Sequence, residues 1–160
     1  MPEFKLSVAT QGDTEIAMTR QFRAPRDLVF RCFTEPDLII KWLGHGMGTT
    51  TELKVDTSIG GVWIHNMDIP GHGPFKMFGQ TLEVDRPSRM VRSNALDMPH
   101  VREQITTETS EFEEVDGVTT VKILIRHLGK ASRDSHAGGI EFGASQSYNA
   151  LEELLVSGAL

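Results

Sequence analysis

Several side chains able to do chemistry sit in this sequence at positions whose second neighbours are apolar. His65 lies between Trp63 and Met67 in the run Val62 to Met67, and residues two apart share one face of a strand. Thr106, Glu108 and Ser110 share parity with Phe112, and His127 shares it with Val121, Ile123 and Ile125. A carboxylate turned inward among such residues needs a partner, because an unpaired buried charge is costly. If Glu108 and His65 meet, both proton affinities shift and the two could work as acid and base. Tyr148 lies on the apolar stripe of a C-terminal helical pattern, where a buried hydroxyl wants a hydrogen-bond partner. His65, Glu108 and Tyr148 are the catalytic candidates. Each inward-facing polar group also has a plainer reading. His65 could be a hydrogen-bonded core histidine, His127 a strand-end residue in solvent, and Glu108 a surface residue if a bulge slips the register.

Other chemistries fit less well. The six histidines, at 45, 65, 72, 100, 127 and 136, make none of the short spacings typical of a zinc site. No metal and no other cofactor is expected. Gly44 to Gly48, "GHGMG", follows a helical run and precedes a strand, whereas a phosphate loop leads into a helix N-terminus. No serine stands in a Gly-x-Ser-x-Gly elbow. Cys32 is the single cysteine, which rules out an intrachain disulfide, and it lies on an apolar helical face where an inert thiol is expected.

The elements that would position these groups follow from periodicity. A polar leader precedes a strand from Glu15 to Phe22, which Ala24-Pro25 interrupts. Leu28, Val29, Cys32 and Phe33 then repeat with helical spacing, as do Leu38, Ile39, Trp42 and Leu43 after Pro36. From Thr49 the period becomes two. Strands are expected at Thr49 to Asp56, Val62 to Met67, Phe75 to Val84, Arg89 to Leu96, Arg102 to Phe112 and Val118 to His127. Asp116-Gly117 signals a hairpin between the last two. Short links predict an antiparallel meander. Ile140, Ala144, Tyr148, Leu151 and Leu155 form one helical stripe, predicting a helix over about 138 to 156 and ~28 Å long, enough to cross a whole curved sheet.

The 160 residues suit one domain, 1–160, with a single buried core. A formal charge of -6 with acids and bases interspersed argues against nucleic acid or an anionic membrane as partner, since both need clustered Lys and Arg. No stretch reads as a signal peptide or membrane span. A cytoplasmic protein, monomer or homodimer, is expected.

Ala24-Pro25 with Val29-Phe30, then Thr34, Pro36 and Trp42, form an ordered set with Asp56, Gly60-Gly61, Trp63, Gly79, Glu83-Val84, Pro87 and Arg89. Phe112, Asp116-Gly117, Thr119, Gly143, Leu151 and Leu154 complete it. From about residue 16 to 156 this order resembles the SRPBCC, or START-like helix-grip, superfamily. The branch is that of activators of the heat-shock protein 90 ATPase, grouped with polyketide cyclases. The resemblance implies an α+β fold: a seven-stranded antiparallel sheet around a long C-terminal helix, two short helices after strand 1, and an internal hydrophobic cavity. It does not select among lipid carriers, hormone receptors, cyclases and co-chaperones.

Departures from the family pattern point to a roomier, more polar pocket. Trp42-Leu43-Gly44-His45 lacks the usual second aromatic and Gly-Pro, and Ser58-Ile59 replaces Arg-Pro. Ala144 and Tyr148 stand where tryptophan and leucine are usual. His65 occupies a usually apolar position, and Asn94 one that is often aromatic. The implied activity is binding of a small hydrophobic or aromatic ligand. Its contacts are expected at Phe33, Trp42, Trp63, His65, Met67, Phe78, Asn94, Ser110, Ile123, Ala144 and Tyr148. The alternatives are a cyclase/dehydratase-like enzyme using His65, Glu108 or Tyr148, and a co-chaperone-like module with a chaperone as partner, without the extra N-terminal domain of the eukaryotic activators.

Overall fold

Among the described residues the alternating segments fold into a single antiparallel sheet of eight strands. In the computed structural model residues 3–98 and 101–160 are described, apart from the side chains at 98 and 101–103, so His100 falls outside the description. The strands are β1 (Ser7–Gln11), β2 (Glu15–Phe22), β3 (Thr49–Val55), β4 (Val62–Ile69), β5 (Gly73–Asp85), β6 (Arg89–Met98), β7 (Val101–Val115) and β8 (Val118–His127). Their order across the sheet is β1-β2-β8-β7-β6-β5-β4-β3. Helices α1 (Arg26–Thr34) and α2 (Pro36–Ile39) carry the chain from β2 to the far edge, and α3 (Lys130–Ser157) follows β8.

The sheet has one strand more than the seven expected. Ser7 to Gln11 pairs with β2 from Ser7 opposite Thr19 to Gln11 opposite Glu15. This strand lies at the sheet edge and is mostly exposed, so it carries no apolar alternation; backbone pairing with β2 forms it, with Val8 packed against the core. Helix α3 starts eight residues before the expected position. Gly138, Gly139 and a run of polar residues hide its periodicity. What holds its first turns is Arg133, whose Nη1 donates to the carbonyls of Gln11, Gly12 and Glu15 at 3.0–3.2 Å. Asp116 and Gly117 have φ of 52° and 78°, the pair of positive values a two-residue β7–β8 hairpin requires.

The core explains how α1 and α2 close one end of the sheet. Phe22, Val29, Phe30, Cys32, Phe33 and Trp42 are buried there with Phe112 and Leu151. Phe33 sits among Phe22, Trp42, Phe112 and Tyr148 with ring centroids 5.0–6.1 Å apart. Each buried aromatic or aliphatic side chain is worth roughly 1.5–3 kcal/mol in removed apolar surface. The Trp42 indole donates to the Cys32 carbonyl at 2.9 Å, tying the end of the α2 turn to α1. Gly44 N donates to Ser147 Oγ at 3.0 Å, joining the following loop to α3.

Candidate functional site

Between the inner sheet face, α3 and the loop after α2 lies a cavity of about 420 Å³. Its position follows from the packing just described, because the aromatic cluster fills one end of the sheet and leaves the other under α3. Phe33 and Trp42 form the inner end. β4 contributes Trp63, His65 and Met67; β6 contributes Arg92 and Asn94; β7 contributes Gln104, Thr106 and Glu108; α3 contributes His136, Ala144 and Tyr148.

The wall is largely apolar, with its charged and amide groups along β6 and β7 and further polar groups in His65 of β4 and Ser135, His136 and Ser147 of α3. Arg92 stands directly opposite Glu108 in the strand register, with Nη2 4.0 Å from Oε1. The guanidinium also lies over the Trp63 ring, 4.4 Å from its centroid, and Trp63 is fixed by donating from Nε1 to the Ser93 carbonyl at 2.9 Å. One step along, Asn94 stands opposite Thr106. Both are buried, and neither Asn94 Oδ1 nor Thr106 Oγ1 has a hydrogen-bond partner among the described residues. Thr106 in turn lies opposite His127 on β8. His127 Nε2 is 2.9 Å from His136 Nδ1, and its Nδ1 is 2.7 Å from Ser132 Oγ.

Electrostatics keep the titratable groups of this wall neutral near pH 7, the Arg92–Glu108 ion pair excepted. Burial, reinforced by the Arg92 charge, pushes His65 down to about 4. His65 Nε2 pairs with Thr50 Oγ1 at 3.1 Å, while its buried Nδ1 lacks a partner among the described residues. Burial and then the neighbouring His127 push His136 down to about 4, and His127 is lowered by burial and Arg133. The Tyr148 phenol is raised well above its ordinary range by burial first and by the Glu108 carboxylate next. Tyr148 is therefore a protonated phenol near pH 7 and not a phenolate. Cys32 is pushed up to about 11 by burial, which leaves an unreactive thiol.

The geometry brings together most, not all, of the residues singled out by the sequence. Phe33, Trp42, Trp63, His65, Met67, Asn94, Ala144, Tyr148 and Glu108 line the cavity. Phe78 does not: it points to the outer face and is 44% exposed, while its neighbour Met77 points in. Ser110 and Ile123 are buried opposite one another on β7 and β8, but Ile123 belongs to the packed core and neither reaches the cavity. Glu108 faces inward because β7 pairs with β8 without a bulge from Thr106 to Val115. Its partner is Arg92 and not His65. His127 is buried, not at a solvated strand end.

Arg92 and His136 were missed. Arg92 shares parity with Met90 and Asn94 in β6, a signal that could have placed it inside. His136 lies in the part of α3 that carries no apolar stripe. Among the described residues no group of three or more His, Cys, Asp and Glu side chains is placed to hold a metal.

An antiparallel sheet holding a long C-terminal helix defines a helix-grip, START-like fold. The sequence profile of the Activator of Hsp90 ATPase homolog 1-like protein family matches residues 23–156, and the chain belongs to that family. No relative among curated proteins matches it in sequence. Solved structures match the fold closely. A Rhodobacter sphaeroides protein superposes with a TM-score of 0.86 at 20% identity, covering 96% of this chain and 99% of that one. A Mycobacterium smegmatis protein gives 0.83 at 20% identity, covering 96% and 97%. A Nitrosomonas europaea protein gives 0.79 at 24% identity, covering 94% and 99%. No helix among the described residues is long and apolar enough to cross a membrane.

Proposed function

We propose that this protein binds one small, largely apolar or aromatic molecule in the cavity, as a single domain working in the cytoplasm as a monomer or homodimer. The observation that carries the reading is the mismatch between a largely apolar wall and three buried polar atoms in it, His65 Nδ1, Asn94 Oδ1 and Thr106 Oγ1, that have no partner among the described residues. Leaving such an atom unpaired costs about 1–3 kcal/mol, and an occupant with a polar end removes that cost. Phe33, Trp42, Trp63, Met67, Ala144 and Tyr148 would hold its body, with His65 and Asn94 at the polar end.

Titration with a fluorescent naphthalene-type dye tests this. The wild type takes up the dye, and Ala144→Trp, which fills the space beside Tyr148, loses binding while keeping its melting temperature. A wild type that takes up no such dye sinks the reading.

A second reading, a cyclase or dehydratase-like enzyme, draws on Tyr148. Its proton-holding phenol is electrostatically coupled to both Glu108 and Arg92, an arrangement that could protonate or polarise a carbonyl. Turnover lost in Tyr148→Phe with dye binding kept would favour it. Family membership supplies a third, a co-chaperone role, checked by whether the protein raises the ATPase rate of heat-shock protein 90.

A further inference from the structure

Within the binding reading, which this inference rests on, we infer that the cavity selects an uncharged molecule carrying a hydroxyl group, an alcohol or a phenol, and discriminates against carboxylates. Charge is the first ground. Among the described residues Arg92 and Glu108 are the only cavity-lining acidic or basic side chains besides the neutral histidines, and they face each other. The Arg92 guanidinium is already divided between Glu108 at 4.0 Å and the Trp63 face at 4.4 Å. An incoming carboxylate must lie beside the Glu108 carboxylate, and an incoming ammonium beside Arg92. Either one meets a like charge in a partly desolvated wall, where such juxtaposition is costly. A neutral head group meets no such opposition.

The unpartnered atoms are the second ground, and an independent one. Asn94 Oδ1 and Thr106 Oγ1 belong to cross-strand partners, whose Cβ atoms stand roughly 5 Å apart. One small group can therefore reach both. An amide oxygen only accepts, so the head group must donate to it; the threonine hydroxyl does either. If the Asn94 amide turns over and presents its nitrogen, the head group must accept instead. A hydroxyl does both, whereas a ketone or ether fails with the first orientation and a hydrocarbon with either. His65 Nδ1 makes the same demand, since its donor or acceptor role follows from how Thr50 holds the other ring nitrogen.

Competition of naphthalene, 2-naphthol and 2-naphthoate against a bound dye at neutral pH tests this, because the three share a ring body and differ only in head group. The wild type is expected to bind 2-naphthol about tenfold tighter than naphthalene, one good buried hydrogen bond's worth, and to bind 2-naphthoate more weakly than 2-naphthol by a similar factor. In Asn94→Leu/Thr106→Val the naphthol advantage over naphthalene disappears while naphthalene is retained. If that variant does not fold, the wild-type ranking decides alone. Equal binding of naphthalene and 2-naphthol, or tightest binding of 2-naphthoate, overturns the inference and leaves the cavity reading standing. Failure of all three to bind removes both.

Discussion

Arg92 and Glu108 face each other across β6 and β7 on the cavity side of the sheet, their charged groups 4.0 Å apart. Neither sits in open water, with side-chain exposures of 18% and 14%, so each depends on the other. Arg92→Met is expected to cost about 2–3 kcal/mol, because it strands a carboxylate in the wall. Arg92→Met/Glu108→Leu should recover most of that loss, since apolar replacement of a whole buried pair is often neutral. Urea unfolding of the two single variants and the double variant closes the cycle. Additive losses would show that the pair is not coupled.

Removing only the negative partner should change what the cavity accepts. In Glu108→Gln the Arg92 charge is left without its carboxylate, and 2-naphthoate should gain about tenfold in affinity. The competition assay described above reads this directly. No gain would mean that Arg92 does not face the occupant.

Tyr148 is the chain's single tyrosine, so its ionisation can be followed by ultraviolet absorbance without interference. Free tyrosine is half ionised near pH 10. The folded protein should show no tyrosinate signal there, because burial and Glu108 both raise the phenol. Glu108→Gln should bring the onset to lower pH than in the wild type. Tyr148→Phe keeps the edge contact with Phe22 and the stack on Phe33 and should cost less than about 1 kcal/mol. Tyr148→Ala opens the core and should cost about 3–5 kcal/mol.

Acid should destabilise the protein through its cavity histidines. His65 and His136 titrate at about 4 when folded against 6.5 when free. The unfolded chain therefore binds more protons between those values, and stability falls as pH drops. The contribution of the neutral imidazoles is complete above pH 6.5 and is lost progressively down to pH 4. Each group can account for up to about 3 kcal/mol over that interval. Unfolding free energies measured at about pH 7.5 and pH 4.5 should differ accordingly, with a smaller difference in His136→Asn. A flat profile would place both histidines in water.

Gly79 protects the ring under Arg92. A methyl group there would fall on the Ser93 carbonyl and within 2.8 Å of Trp63 Nε1, where the indole hydrogen bond is made. Gly79→Ala should lower stability by about 2 kcal/mol and shift Trp63 fluorescence. An unchanged spectrum with full stability would contradict this packing.

Much of the fold could be read along the chain, because its signals are local. The limits of β2 and β8, the helix start after Pro25 and the turn at Asp116-Gly117 all follow from residues within a few positions of one another. The inward parity of His65, Thr106, Glu108 and His127 is local in the same sense, since a strand sends alternate side chains to opposite faces. β1 and the first turns of α3 left no such trace. Long-range backbone pairing with β2 and the Arg133 hydrogen bonds hold them, and neither needs an apolar pattern.

Which inward residues meet is a different kind of fact. Parity puts Glu108 inside but says nothing of whether His65 or Arg92 stands beside it; the β6–β7 register sets Arg92 opposite. It puts Ser110, Ile123 and Asn94 on the same inner surface, yet the first two are buried away from the cavity and Asn94 lines it. His127 acquires its partner from a helix whose start the pattern does not mark. Alternation along one strand assigns a face. Register between strands and the volume of side chains packed above them assign neighbours, and those are set by contacts between segments far apart in the chain.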